Sequence, residues 1–146
     1  MYSYEYPRPA VTVDILLFTE ESADRKVLLI QRKNPPFKDH WAFPGGFIEM
    51  DESLEGSAQR ELHEETGLFD VKLTQLGAFG DPHRDPRGRI ITIAYYGLID
   101  AKRAPLIAGS DAADARWFSI ASLPPLAFDH AKILAAAIEK LNPAVH

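Results

Sequence analysis

A chain of 146 residues, 46% apolar and 25% charged, is sized for one folded domain around a single core. With 16 Lys and Arg against 21 Asp and Glu, the net charge of −5 argues against a broad nucleic-acid surface, although local basic clusters can still hold phosphates. No cysteine is present, so disulfides and thiolate metal sites are excluded, and no apolar run approaches the roughly 18 residues of a membrane span.

The opening MYSYEYPRP has neither the basic head nor the apolar run of a secretory signal, and the expected compartment is the cytoplasm. Val11, Val13 and Ile15 alternate with Thr12 and Asp14 before the apolar run Leu16-Leu17-Phe18, which predicts a strand that becomes buried. A polar turn from Thr19 to Arg25 leads to a second strand, Lys26 to Ile30, so the two form a hairpin with Gln31 and Arg32 at its end. Asn34-Pro35-Pro36 stops regular structure, and Trp41 to Gly46 is expected as a tight turn carrying two aromatics.

Ser53 is a candidate N-cap and Gly67 a candidate terminator for the helix between them. Strands are then expected over 71–79, with a shift near Gly77, and over 89–99, where apolar groups on both faces suit a central strand. The loop between them contains Asp85, Pro86 and Gly88 at positions suited to a type I turn. Residues 101–114 read as loop, Arg116 to Phe118 as a short strand, and the stretch from Asp129 to Leu141 as an amphipathic helix ended by Asn142-Pro143. Strands on both sides of one helix, with a second helix last, predict a mixed sheet covered on both faces.

The most informative stretch is Gly46 to Leu68, GFIEMDESLEGSAQRELHEETGL. Glu61 is a helical neighbour of both Glu64 and Glu65, and each like-charge pair should be unfavourable by roughly 0.2–0.5 kcal/mol. At 100° per residue, Glu61 and Glu65 border the apolar stripe of Leu54, Ala58 and Leu62. Charge beside a core requires cations, hydrogen bonds or water. A bound metal ion resolves both the repulsion and the burial, while an acidic, solvated helix edge is the alternative on spacing alone.

This stretch resembles the signature of the Nudix hydrolases at every restricted position. The signature runs Gly, five residues, Glu, seven residues, Arg-Glu, an aliphatic, any residue, Glu-Glu, any residue, Gly and an aliphatic. Here those are Gly46, Glu52, Arg60-Glu61, Leu62, Glu64-Glu65, Gly67 and Leu68. The preceding QRK and WAFPGG also resemble that family, so residues 1–146 are expected as one such domain. The resemblance implies an α/β/α sandwich with a mixed central β-sheet and hydrolysis of a nucleoside diphosphate linked to another moiety.

It also implies that Glu61, Glu64 and Glu65 are catalytic metal ligands, joined by the carbonyl of Gly46. Magnesium, with manganese as an alternative, suits such an all-oxygen set. Glu52 and Arg60 are expected to support the site as an ion pair. The general base stays open among Glu61, Asp111 and Asp114.

Substrate recognition must come from outside this stretch, and Arg32, Phe37, Trp41, His83, Arg84 and Arg87 are the candidates. The basic loop Asp81 to Arg89, Pro82 within it and the later Phe128-Asp129-His130 resemble the ADP-ribose pyrophosphatase branch. ADP-ribose or a similar ADP-sugar, split to AMP and a sugar phosphate, is therefore the expected substrate. Removal of pyrophosphate from nucleoside triphosphates, oxidised ones included, is the second hypothesis, and a non-enzymatic ADP-ribose sensor the third. The few residues after the last helix leave no room for a DNA reader, so the expected partner is a small nucleotide, with neither nucleic acid nor membrane. Analogy with that branch makes a homodimer the expected assembly.

Overall fold

The computed structural model describes residues 2–21, 23–100, 102, 106, 108–109 and 112–142. Its strands are β1 (Ala10–Thr19), β2 (Lys26–Arg32), β3 (Trp41–Ala42), β4 (Gly45–Phe47), β5 (Thr74–Phe79), β6 (Ile90–Ile99) and β7 (Ala112–Ser119), and its helices α1 (Leu54–Thr66) and α2 (His130–Leu141). The strands make one mixed sheet in the order β3-β2-β1-β6-β5, with β4 added to β1 and β7 to β2. β1 and β6 run parallel through the middle, and the other pairings are antiparallel.

Alternation along β1 builds both layers. Val13, Ile15 and Leu17 point to a core shared with Ala58 and Leu62 of α1, while Leu16 and Phe18 point to one shared with Ile133, Leu134 and Ala137 of α2. Those residues of β1 are fully buried, as a strand covered on both faces must be. The result is the α/β/α sandwich, with one helix closing each core.

The ends of α1 follow local chemistry. Ser53 is extended and its hydroxyl accepts the Gly56 N–H at 2.9 Å, and Gly67 closes the helix with φ 80° while its N–H bonds the His63 carbonyl. Three boundaries depart from the sequence-based expectation. The strand expected from Val71 begins at Thr74, because the Gln59 side chain of α1 takes the Val71 carbonyl and the Val71 side chain fills the core. The expected turn over Trp41 to Gly46 is two short strands, since Gly45 and Gly46 pair with Asp14 and Val13 of β1. β7 starts at Ala112, in a stretch of loop-like composition, because its backbone pairs with Arg32 and Gln31. Among the described residues no helix is long and apolar enough to cross a membrane.

Candidate active site

The second half of α1 brings Glu61 and Glu65 to the edge of the core, where they are 8% and 9% exposed, while the Glu64 side chain stays 55% exposed. The like-charge problem posed by their spacing is met within the chain. Arg60 Nε donates to both oxygens of Glu52 at 3.0 and 2.8 Å, and Nη1 donates to Glu61 at 2.8 Å and to Glu64 at 3.3 Å. Its Nη2 reaches the Phe47 carbonyl at 3.1 Å. Ser57 adds a hydroxyl bond to Glu52 at 2.6 Å, and these bonds hold the Glu52 carboxyl down to about 2. Burial pushes the Glu61 carboxyl up, opposed by Arg60 and reinforced by the Glu64 charge.

β4 lies directly over this carboxylate. A Cβ added to Gly46 would sit 2.6 and 2.7 Å from the two oxygens of Glu61, so only glycine lets the backbone approach so closely. Among the described residues no three acidic or imidazole side chains already converge as a metal centre, because Glu64 is turned out to Arg60. The donors gathered here are all oxygens, from Glu61, Glu65 and the Gly46 backbone, and that chemistry fits a hard divalent cation rather than a thiophilic one.

Gly46, Glu61 and Glu65 open onto a cleft of about 440 Å³ whose other lining includes Arg32, Arg84, Arg87 and Phe128. Arg87 is held by Asp85, Nε at 3.0 Å and Nη2 at 2.7 Å, and its guanidinium lies 5.1 Å from the Phe128 ring and 5.2 Å from the Phe47 ring. Arg32 also stands over Phe128 at 5.0 Å and donates from Nε to the Pro36 carbonyl. Burial lowers the Arg32 pKa and the neighbouring Arg87 charge lowers it further, with Asp85 and Glu65 opposing. Two adjacent cations facing a cleft suit a phosphate.

Among the described residues, the remaining candidates do not present free side chains to the cleft. Trp41 is a core residue, 8% exposed and edge-on to Phe118 at 4.6 Å, so its ring is not open for stacking. Phe37 packs behind Phe128 at 4.9 Å and does not line the cleft, and His83 is exposed on its loop outside that lining. Arg84 does line the cleft, but its side chain is 3% exposed and its fork is bound to Asp129 at 3.0 and 2.7 Å, making it part of the wall. Asp114 is paired with Arg116 at 2.6 Å and is likewise outside the lining, while Asp111 lies outside the described residues.

Asp14 and His130 also line the cleft, and neither follows from the motif. Asp14 accepts the Thr92 hydroxyl at 2.6 Å and faces His130 Nε2 at 3.7 Å, and burial pushes the His130 imidazole below its ordinary value of 6.5. A lone acid within the apolar run of β1 was the available signal for Asp14; His130 was visible only as part of the Phe128-Asp129-His130 resemblance, which gave it no role.

The model of the NUDIX domain matches residues 8–137. The chain belongs to the Nudix family. Over 129 residues this Nudix domain is 46% identical to the ADP-ribose pyrophosphatase of Methanocaldococcus jannaschii, a match covering 88% of the chain and 73% of that protein. It is 39% identical over 141 residues to the ADPR responsive transcriptional repressor NtrR of Acinetobacter baylyi, covering 94% of the chain and 56% of the repressor. The NUDIX domain of Shewanella oneidensis NrtR, solved with ADP ribose, superposes with a TM-score of 0.85 at 38% identity, covering 93% of the chain and 90% of that domain. The Nudix match together with the pyrophosphatase relative supports a pyrophosphohydrolase, and hydrolases of this family generally depend on a divalent metal.

Proposed function

We propose that this Nudix domain hydrolyses the diphosphate of ADP-ribose, or of a similar ADP-sugar, to AMP and a sugar phosphate. The observation that carries the reading is one cleft holding both clusters, the carboxylates of Glu61 and Glu65 beside Gly46 and the Arg32–Arg87 pair around Phe128. The pyrophosphatase relative and the ADP-ribose-bound NrtR domain support the choice of ligand.

Glu61, Glu64, Glu65 and the Gly46 carbonyl would hold magnesium, or manganese in its place. When bound, that ion neutralises phosphate oxygens and lowers the pKa of a water. Arg60 orients Glu61 and ties α1 to the Phe47 carbonyl. Arg32 and Arg87 bind the diphosphate, with Phe47 and Phe128 offering ring faces beside it. Glu61, whose carboxylate lies against Gly46, is our candidate to take a proton from the attacking water. We further infer a cytoplasmic homodimer, for which light scattering on the purified protein is the direct check.

A magnesium-dependent panel of ADP-ribose, other sugar and dinucleoside diphosphates, and nucleoside triphosphates tests this reading. The highest kcat/KM is expected for ADP-ribose or an ADP-sugar. A triphosphate turned over far more efficiently would replace the reading with pyrophosphate removal. The match to a repressor favours one further reading, binding of ADP-ribose without turnover, which predicts saturable binding and no AMP release.

A further inference from the structure

The turn entering α2 touches three parts of the cleft through three consecutive side chains. Phe128 lies against both Arg32 and Arg87, Asp129 takes the fork of Arg84, and His130 accepts the Phe43 N–H at 3.2 Å on Nδ1. With Nδ1 as acceptor in a neutral ring, the proton sits on Nε2 and faces Asp14 Oδ1 at 3.7 Å. Phe43 is three residues before Gly46, and Asp14 is the β1 partner of Gly45. His130 therefore fastens the strand segment that carries Gly46 from one side while β1 holds it from the other.

The same turn departs twice from what the backbone alone would favour. Phe128 is a bulky residue at φ 51°, in the left-handed region. Asp129 stands at the N-cap of α2, yet its side chain makes no bond to the helix, being turned instead to Arg84. Two such departures at adjacent residues, both directed at the cleft, mark a turn shaped by the site rather than by the helix it starts.

We propose that Phe128, Asp129 and His130 are positioning residues that hold the arginine wall and the Gly46 segment in one fixed relation, Phe128 and Asp129 setting the arginines and His130 setting Gly46 through Phe43. This rests on diphosphate hydrolysis in the cleft but not on which diphosphate is used. Asp129→Asn is expected to raise KM about tenfold while kcat stays within about twofold. His130→Ala is expected to lower kcat about tenfold and to weaken Mn²⁺ affinity several-fold, the latter read by electron paramagnetic resonance without substrate. His130→Asn, whose amide oxygen can stand where Nδ1 stands, is expected to recover most of both.

Equal impairment in His130→Asn and His130→Ala, or unchanged Mn²⁺ affinity in His130→Ala, overturns the His130 assignment. A kcat loss in Asp129→Asn matching its KM change overturns the Asp129 assignment. Should His130→Ala not fold, nitrogen NMR of the wild-type imidazole decides: an Nε2-protonated ring supports the role and an Nδ1-protonated ring removes it. These ratios are taken on whichever panel substrate is turned over best. Failure with ADP-ribose thus overturns the substrate reading alone, and the Mn²⁺ and NMR measurements stand even without turnover.

Discussion

The carboxylate cluster and the arginine cluster share one cleft but are built in opposite ways. Glu52, Arg60, Glu61 and Glu64 are close in sequence, and one helix with its preceding loop is enough to bring them together. The arginine wall joins Arg32 at the end of β2, Arg84 and Arg87 of the loop before β6, and the turn at Phe128. A site assembled by helical periodicity can be read from spacing, whereas one assembled from distant segments exists only once the sheet has formed.

Four experiments bear on that contrast, the largest effect first. Glu65→Gln is expected to lower kcat by about a hundredfold or more, while the metal-free protein keeps its melting temperature, because a charge at the core edge is removed with its shape retained. Near-normal turnover in that variant would detach Glu65 from the chemistry. Arg60→Ala deprives Glu52, Glu61, Glu64 and the Phe47 carbonyl of their shared donor, and a loss of roughly 1–3 kcal/mol is expected in urea denaturation. A variant as stable as the parent would mean that Glu61 and Glu64 do not depend on it.

Arg84→Ala is expected to raise KM about tenfold with little change in kcat, since it removes part of a wall and not a ligand. Its melting temperature should fall as well, because Arg84 is buried and its loss leaves Asp129 without its partner. Unchanged kinetics would mean that the Arg84–Asp129 pair does not shape the substrate site. The smallest effect concerns His130. With its native pKa depressed below 6.5 by burial, the unfolded chain binds the proton first, so stability is lost as pH falls below that value. Chemical denaturation at several pH values should show a shallower acid slope for His130→Asn than for the parent, and parallel slopes would sink the assignment.

The difference between the two clusters also explains how much could be read in advance. Alternation along β1, the Ser53 and Gly67 ends of α1 and the amphipathic stripe of α2 rest on contacts within a few residues, and they predicted a mixed sheet between helices. Trp41 misled, because an aromatic beside a glycine pair looks the same whether it faces a cleft or the core, and only Phe118 across the sheet decides. Arg84 was only partly legible for a related reason, its charge being visible in the loop that lines the cleft but its partner Asp129 lying beyond β6 and β7.

What the sequence by itself determined is the helix carrying Glu61, Glu64 and Glu65 and its placement at the border of the core, both consequences of a fixed 3.6-residue period, together with the family, which the match to the full Gly46–Leu68 signature carries. Only the tertiary structure decided that Gly46 lies on Glu61, that Arg32 and Arg87 meet over Phe128 and that His130 reaches Phe43. Those meetings depend on sheet order and helix docking, which no local spacing encodes.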